Sequence, residues 1–169
     1  SPAERARSST LLLAPLALPP NDHRMVDLSE ATMLSLSMEG GAMGRMRSAS
    51  LGGELKPIGE IVEAGYFWSF NGKVDGINGD PLARLDRGQN VRLKIVNDTA
   101  FPHAMHLHGI HFHEVAENGT LGPLRDTTLL ERGQTREIAF VADNPGQWLL
   151  HCHMLSHAAS GMMTKIVVG

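Results

Sequence analysis

The sequence is poor in cysteine, in aromatic residues and in net charge. Its single cysteine, Cys152, excludes an internal disulfide framework, and aromatic side chains make up only 5% of the 169 residues. The formal net charge of -3 at pH 7 gives no indication that nucleic acid or an anionic membrane is a partner. The apolar runs are too short to span a bilayer. This length suits one domain with a tail, or at most two very small domains.

Histidine and methionine, by contrast, are abundant. The chain contains nine of each. Imidazole and thioether groups are ligands for copper and other late transition metals. The excess of such ligands therefore makes metal binding the first function to consider.

The N-terminal part of the sequence differs in composition from the rest. Residues 1–25 are rich in proline and serine and are predicted to be an interdomain linker or tail, with the folded domain at residues 26–169. An apolar run at residues 11–18 follows two arginines and loosely resembles a secretory signal peptide. Prolines interrupt this run and favour extended backbone, so a linker is the preferred interpretation.

Short alternating segments separated by turn signals predict an all-β domain. Seven or eight strands at this spacing are typical of a β-sandwich, and no long helical pattern competes. A single helical turn is expected at residues 155–160, ended by Gly161. The predicted strands are residues 32–38, 66–70, 92–96, 105–115, 126–130, 137–141, 147–153 and 164–168.

Two histidine-rich segments carry the most specific signal. Residues 103–109 read HAMHLHG, and residues 151–157 read HCHMLSH. Successive side chains of a strand point to opposite faces, so His151 and His153 share one face while Cys152 points to the other. The two histidines of the HLH motif share a face in the same way. Two metal sites, back to back, are therefore expected.

The face that bears Cys152 predicts a blue copper centre. A thiolate, two imidazoles and a distant thioether are the ligands that define such an electron-transfer site. Cys152, His157 and Met162 provide three of them within one compact loop. His103 is the fourth, because it lies three residues before His106 and can turn to the opposite side of the sheet.

The other face offers only imidazoles, at His106, His108, His151 and His153. Neutral imidazole suits copper, and a copper cluster that reduces dioxygen needs neutral ligands with open positions. Cys152 lies between two of these histidines, so one backbone links the two sites by covalent bonds. This link is a chemical reason for an unbroken His-Cys-His sequence.

The motifs H-x-x-H-x-H-G and H-C-H-x-x-x-H-x-x-x-x-M resemble those of the multicopper oxidases, and most of all the C-terminal domain of bacterial laccases and copper-resistance oxidases. The resemblance extends from about Phe67 to the C-terminus. It implies a cupredoxin-like Greek-key β-sandwich. It also implies type 1 copper ligands at His103, Cys152, His157 and Met162, a type 2 ligand at His106, and type 3 ligands at His108, His151 and His153.

The resemblance further implies an oxidase activity. Type 1 copper would take electrons from a phenol or Cu(I) and pass them through Cys152 and His151 or His153 to a trinuclear copper cluster that reduces dioxygen to water. Half of the cluster's histidines would come from other cupredoxin domains or from another copy of the chain, so an isolated monomer is expected to be inactive. The family also implies a periplasmic or secreted location. Two alternatives are a cupredoxin-like electron-transfer or copper-binding module and a nitrite-reductase-like trimer.

Several further residues are candidates for metal binding. His111 and His113 form a third His-x-His motif, which is expected to continue the strand of the first segment. Met163 is the alternative axial ligand if the loop shifts by one residue. Met43 and Met46, in a glycine-rich segment, are candidates for contacts with copper.

Overall fold

The computed structural model describes residues 17–19 and 23–169. Residues 11–16 of the apolar run, and most of the predicted linker, lie outside the described residues. Thirteen strands occur in the described part, numbered β1 to β13 in chain order: Thr32–Gly40, Ser48–Leu51, Glu54–Pro57, Trp68–Phe70, Ala83–Leu85, Asn90–Asn97, His103–Leu107, Phe112–Val115, Leu121–Arg125, Thr127–Leu130, Thr135–Val141, Gly146–Cys152 and Met163–Val168.

Helical structure is limited to short elements in the described residues. Helix α1 spans Ile58–Glu63, helix α2 spans Leu155–Ala159, and a 3-10 turn spans Gly76–Asn78. Helix α2 confirms the helical turn predicted at residues 155–160. Over residues 17–19 and 23–169, no helix has the length and apolarity needed to cross a membrane.

The strands form two sheets and a separate hairpin. The six-stranded sheet has the order β4-β1-β6-β11-β8-β9, the five-stranded sheet has the order β10-β7-β12-β13-β5, and β2 pairs with β3. Most neighbours are antiparallel, and the parallel pairs are β1 with β6 and β13 with β5. The predicted all-β, cupredoxin-like sandwich is thus confirmed. Its strands are more numerous than the sequence suggests, because several of the additional ones are only three to five residues long.

The core lies between the two sheets and follows from alternation along the strands. Leu93 and Ile95 of β6 and Phe140 of β11 are at most 1% exposed on the inner face of one sheet. Leu107 of β7 and Leu150 of β12 are equally buried in the other. Each large apolar side chain that is fully buried contributes about 1.5–3 kcal/mol. This core therefore fixes the positions of β7 and β12, which carry the histidine-rich segments.

A smaller cluster packs beneath α1. Met46, Ala49, Ile61 and Val74 are buried together there. Met46, in the glycine-rich segment between β1 and β2, is thus part of a core and not exposed. Met43 is 69% exposed.

The strand predicted at residues 105–115 is wrong, because the chain leaves one sheet and enters the other within it. β7 belongs to the five-stranded sheet and β8 to the six-stranded sheet. The break spans residues 108–111 and contains Gly109, which has φ +67. A side chain at Gly109 would overlap the Trp148 ring, so this crossing requires glycine.

The outer face of the six-stranded sheet is covered by residues that precede β1. Val26 is buried against Ala139 and Val141 of β11, and Leu28 packs on the same group. The residues before β1 therefore pack against the sandwich, and His23 already lies beside His113, with ring centroids 5.5 Å apart. The boundary between a linker and a domain at residues 25 and 26 stays a prediction.

Candidate metal centre

Strands β7 and β12 bring the two histidine-rich segments side by side. They are antiparallel, with His106 opposite His151 and Met105 opposite Cys152. Because side chains alternate between faces, the first pair points out of the sandwich while the second pair points into it. The pairing therefore creates two clusters, one on each face of the five-stranded sheet.

The inner cluster consists of His103, Cys152 and His157. The Cys152 Sγ lies 3.7 Å from Nδ1 of His103 and 3.8 Å from Nδ1 of His157, and the two Nδ1 atoms are 3.3 Å apart. His103 and Cys152 are fully buried, whereas His157 of α2 is half-buried. The structure thus brings three of the four predicted type 1 ligands together through three elements.

Met162 lies in the same core as Cys152 and is fully buried. Its carbonyl accepts a hydrogen bond from the Cys152 N–H at 3.1 Å, and its own N–H donates to the His157 carbonyl at 3.0 Å. Met163 instead pairs with His151 in β13, so its side chain lies on the opposite face of the sheet, where it is partly exposed. The geometry favours Met162 over Met163 as the thioether beside Cys152.

Trp68 forms an aromatic wall of the inner cluster. Its ring lies edge-on to His103, with centroids 5.0 Å apart, and packs at 4.7 Å against His157. The backbone N–H of Trp68 donates to the Ser160 carbonyl at 3.1 Å, which ties β4 to the end of α2. This role was not predicted, because Trp68 is far from both motifs in the sequence.

Burial controls the protonation of the inner cluster. Burial, and to a smaller extent the neighbouring His157, lowers the pKa of His103 from 6.5 to about 4. Burial also lowers the pKa of His157 and raises the pKa of the Cys152 thiol. Both imidazoles are therefore neutral near pH 7, as metal ligands must be, and a bound cation would deprotonate the thiol.

The outer cluster consists of His106, His108 and His151, whose candidate ligand atoms all lie within 4.8 Å of one another. The Nε2 atoms of His108 and His151 are 3.0 Å apart. Nδ1 of His151 lies 2.8 Å from the Cys152 carbonyl oxygen, which can only accept, so this nitrogen carries the proton. The lone pair of His151 is therefore on Nε2, which faces His108.

His106 is held by the neighbouring edge strand. Its Nδ1 lies 3.0 Å from both the Asp126 carbonyl oxygen and the Thr127 hydroxyl. Because the carbonyl accepts, Nδ1 carries a proton, and in the neutral ring Nε2 has the lone pair. Outer contacts of this kind orient histidines that bind metals.

His153 lies beside the outer cluster but not within its compact part. Its ring centroid is 5.6 Å from that of His106 and 6.1 Å from that of His151, and its side chain is exposed. An apolar side chain is also exposed on this outer face of the five-stranded sheet: Leu129, which lies opposite Ala104, is 50% exposed. The four histidines predicted to share a face thus form a close group of three with His153 at its rim.

The third His-x-His motif belongs to neither cluster. His113 lies in β8 of the six-stranded sheet, and its Nδ1 donates to the Gly122 carbonyl at 2.7 Å. His111 is exposed just before this strand. The expectation that both continue the strand of His106 is wrong, because the chain changes sheets at Gly109.

A cavity of about 400 Å³ opens beside His157. Its position makes His157 the ligand-type residue of the inner cluster that a small molecule can approach. The residues around the cavity are mainly small or aromatic: Gly41, Ala42, Phe67, Trp68, Phe101, Ser156, His157 and Ser160.

Comparison with protein families gives a direct match. The family described as multicopper oxidase matches residues 55–169. The multicopper oxidase MmcO of Mycobacterium tuberculosis is 36% identical over 103 residues, which are 61% of this chain and 20% of that protein. A copper resistance protein A homolog of Pseudomonas syringae pv. tomato is 38% identical over 103 residues, which are 61% of this chain and 17% of that protein. The chain thus spans about a fifth of these relatives.

Solved structures share the fold over nearly the whole chain. Lac15 from a marine microbial metagenome is 39% identical with a TM-score of 0.60, and the match covers 93% of this chain and 32% of that one. A multicopper oxidase from Pseudomonas thermotolerans is 29% identical with a TM-score of 0.66, and the match covers 92% of this chain and 33% of that one. The sandwich therefore corresponds to about a third of each structure.

Proposed function

This chain belongs to the multicopper oxidase family, and we propose on that premise that it holds a type 1 copper and contributes ligands to a trinuclear copper cluster. The observation that carries the proposal is the pair of clusters on opposite faces of β7 and β12. One contains a thiol and two imidazoles with ligand atoms 3.3–3.8 Å apart, and the other contains three imidazoles. This donor chemistry fits copper at both positions.

His103, Cys152, His157 and Met162 would hold the type 1 copper. His106, His108, His151 and His153 would provide the chain's share of the cluster. Bound copper would supply the redox chemistry, with single electrons taken from a phenol or Cu(I) and dioxygen reduced to water. The chain's own residues hold these ligands in place and connect the two faces.

Cys152 and His151 provide the shortest connection between the faces. They are adjacent in the backbone, and the His151 Nδ1–H also donates to the Cys152 carbonyl at 2.8 Å. Backbone bonds likewise join Cys152 to His153. These contacts support our proposal that electrons pass through Cys152 and His151 or His153.

The cavity beside His157 is the proposed approach for the reducing substrate. Phe67, Trp68 and Phe101 line it, and no carboxylate occurs among the described residues around it. Such a lining suits a neutral phenol better than a free cation. Cu(I) stays as the second candidate donor because one similar protein is a copper resistance protein A homolog.

The remaining cluster ligands would come from other cupredoxin domains or from another copy of the chain. His108 and His153 are exposed on the outer face, where such a partner would have to dock. A chain that is strictly monomeric should therefore not reduce dioxygen. We further propose a periplasmic or secreted location.

Visible absorption of the copper-loaded chain tests the type 1 site. The wild type should show an intense thiolate-to-copper band, and Cys152→Ser should abolish it while far-ultraviolet circular dichroism is unchanged. His113→Gln is the matched control, because His113 lies outside both clusters, and it should keep the band. A folded, copper-loaded wild type without colour would contradict the ligand assignment.

Copper stoichiometry and oxygen uptake test the oxidase itself. Copper-loaded chain is separated by size, and each fraction is assayed with a phenolic and a cuprous donor. One copper per chain with no oxygen uptake in any assembly would favour an electron-transfer module, and nitrite consumption by a trimer would favour the nitrite-reductase alternative. Turnover by a verified monomer would refute the incomplete-cluster argument.

A further inference from the structure

A buried chain of hydrogen bonds leads to His103 from the side away from Cys152. Thr99 Oγ1 lies 2.8 Å from Nε2 of His103 and 2.7 Å from Oδ1 of Asn97. Asn97 and His103 are completely buried, and Thr99 is 6% exposed. Solvent therefore has little access to these contacts, and the protein's own donors and acceptors decide where each proton lies.

The orientation of the Asn97 amide follows from its surroundings. One amide atom faces the carbonyl oxygens of Phe101, Glu131 and Leu130 at 2.8, 3.0 and 3.3 Å. Carbonyl oxygens only accept, so this atom must be the donor nitrogen Nδ2. The other atom is then Oδ1, which accepts from the Thr99 N–H at 3.1 Å.

The Thr99 hydroxyl has a single proton to donate. Its oxygen lies 2.7 Å from Oδ1 of Asn97, and two lone pairs at this distance would repel each other. The hydroxyl therefore donates to Asn97, although the Phe101 carbonyl at 3.1 Å is also near. Its lone pairs then face the Phe101 N–H at 3.2 Å and Nε2 of His103.

This assignment leaves one arrangement for His103. Nε2 must carry the proton, because it meets a lone pair of Thr99. In the neutral ring Nδ1 is then unprotonated, and Nδ1 is the atom 3.7 Å from Cys152 Sγ. The nitrogen that faces the thiol thus has its lone pair available.

We propose that Asn97 and Thr99 are positioning residues that lock His103 in its Nε2–H tautomer and so present Nδ1 to copper. The proposal rests on the type 1 site proposed above. Asn97 ends β6 of one sheet and His103 begins β7 of the other. The hydrogen bonds therefore also fix the ring relative to both sheets.

Loss of the hydroxyl should release this lock. Thr99→Val keeps the shape of the side chain but leaves Nε2–H without a partner in a buried site. The ring proton can then move to Nδ1, where it competes with a metal. Loss of an outer hydrogen bond to a ligand typically weakens metal binding about 10- to 100-fold, and we expect copper affinity to fall within this range.

Nitrogen NMR of the metal-free chain tests the tautomer without any metal. In 15N-histidine-labelled protein at pH 7, the wild type and the matched control Thr99→Ser should show His103 protonated on Nε2 alone. Thr99→Val should show a mixture or the Nδ1–H form. A wild type in which His103 is protonated on Nδ1 would overturn the inference. This outcome is read on the wild type alone, so it does not depend on whether a variant folds.

Copper binding gives the second measurement. Competition with a chelator should show weaker binding for Thr99→Val than for Thr99→Ser and the wild type, and the electron paramagnetic resonance signal of bound Cu(II) should change only in Thr99→Val. Equal affinities and spectra for all three proteins would overturn the positioning role. Nε2–H in the wild type with no blue copper would refute the proposed function instead, and would leave the lock itself supported.

Discussion

Acid should destabilise the metal-free chain through His103. Its pKa is about 4 in the folded protein, against an ordinary value of 6.5. The unfolded chain therefore binds a proton at pH values where the folded chain does not, and stability falls as the pH drops from 6.5 towards 4. The full pKa difference of His103 corresponds to about 3 kcal/mol of unfolding free energy. About 2 kcal/mol of it should be lost between pH 7 and pH 5.

Other histidines act in the same direction. Burial also lowers the pKa values of His151 and His157, so the total loss should exceed the contribution of His103. Copper should oppose the effect, because a bound metal competes with protons for the ring nitrogens. The copper-loaded chain should therefore keep its stability to lower pH than the metal-free chain.

Urea unfolding at pH 7, 6 and 5 measures the effect in metal-free protein. His103→Gln is the control, because its amide does not titrate in this range. The variant should lose about 2 kcal/mol less than the wild type between pH 7 and pH 5. Each protein is compared with itself at pH 7, so a constant cost of the substitution cancels. Equal losses in both proteins would refute the reasoning.

Two further predictions concern the surroundings of the inner cluster. Met162→Leu should keep the blue band and raise the reduction potential measured by redox titration, whereas Met163→Leu should leave the potential unchanged; the reverse result would show that the axial ligand is misassigned. Gly161→Ala should lower the free energy of unfolding in urea by more than about 1 kcal/mol, because φ is +117 and the new side chain would overlap the Trp68 carbonyl. Gly119→Ala, with φ +81 and no atom within 4 Å, is its control and should cost less.

The arrangement of the two histidine-rich segments could be predicted because successive side chains of a strand point to opposite faces. The prediction that Cys152 and His151 lie on opposite faces needs only that periodicity. The pairing of β12 with β7 places them in this way. The sandwich could also be predicted, because the turn signals recur at short intervals. Neither inference depends on residues that are distant in the sequence.

The errors arise where tertiary contacts override local pattern. Polar and apolar residues alternate well enough over residues 105–115 to suggest one strand. The chain nevertheless passes from one sheet to the other at Gly109, where the Trp148 ring occupies the space that a side chain would need. Met46 has no local signal of burial, since its partner Ile61 lies on α1, six residues that follow Pro57. A helix this short has too little amphipathic pattern to be recognised from sequence.

The connection between β6 and β7 shows how fold and site depend on each other. In five residues the chain crosses from the six-stranded to the five-stranded sheet, and Asn97 supports this crossing through three backbone carbonyls. The same amide orients the Thr99 hydroxyl, which in turn meets His103. An Asn and a Thr before a histidine are ordinary turn residues in a sequence. Their burial beside His103 is what allows these turn residues, in our proposal, to decide which ring nitrogen of His103 carries the proton.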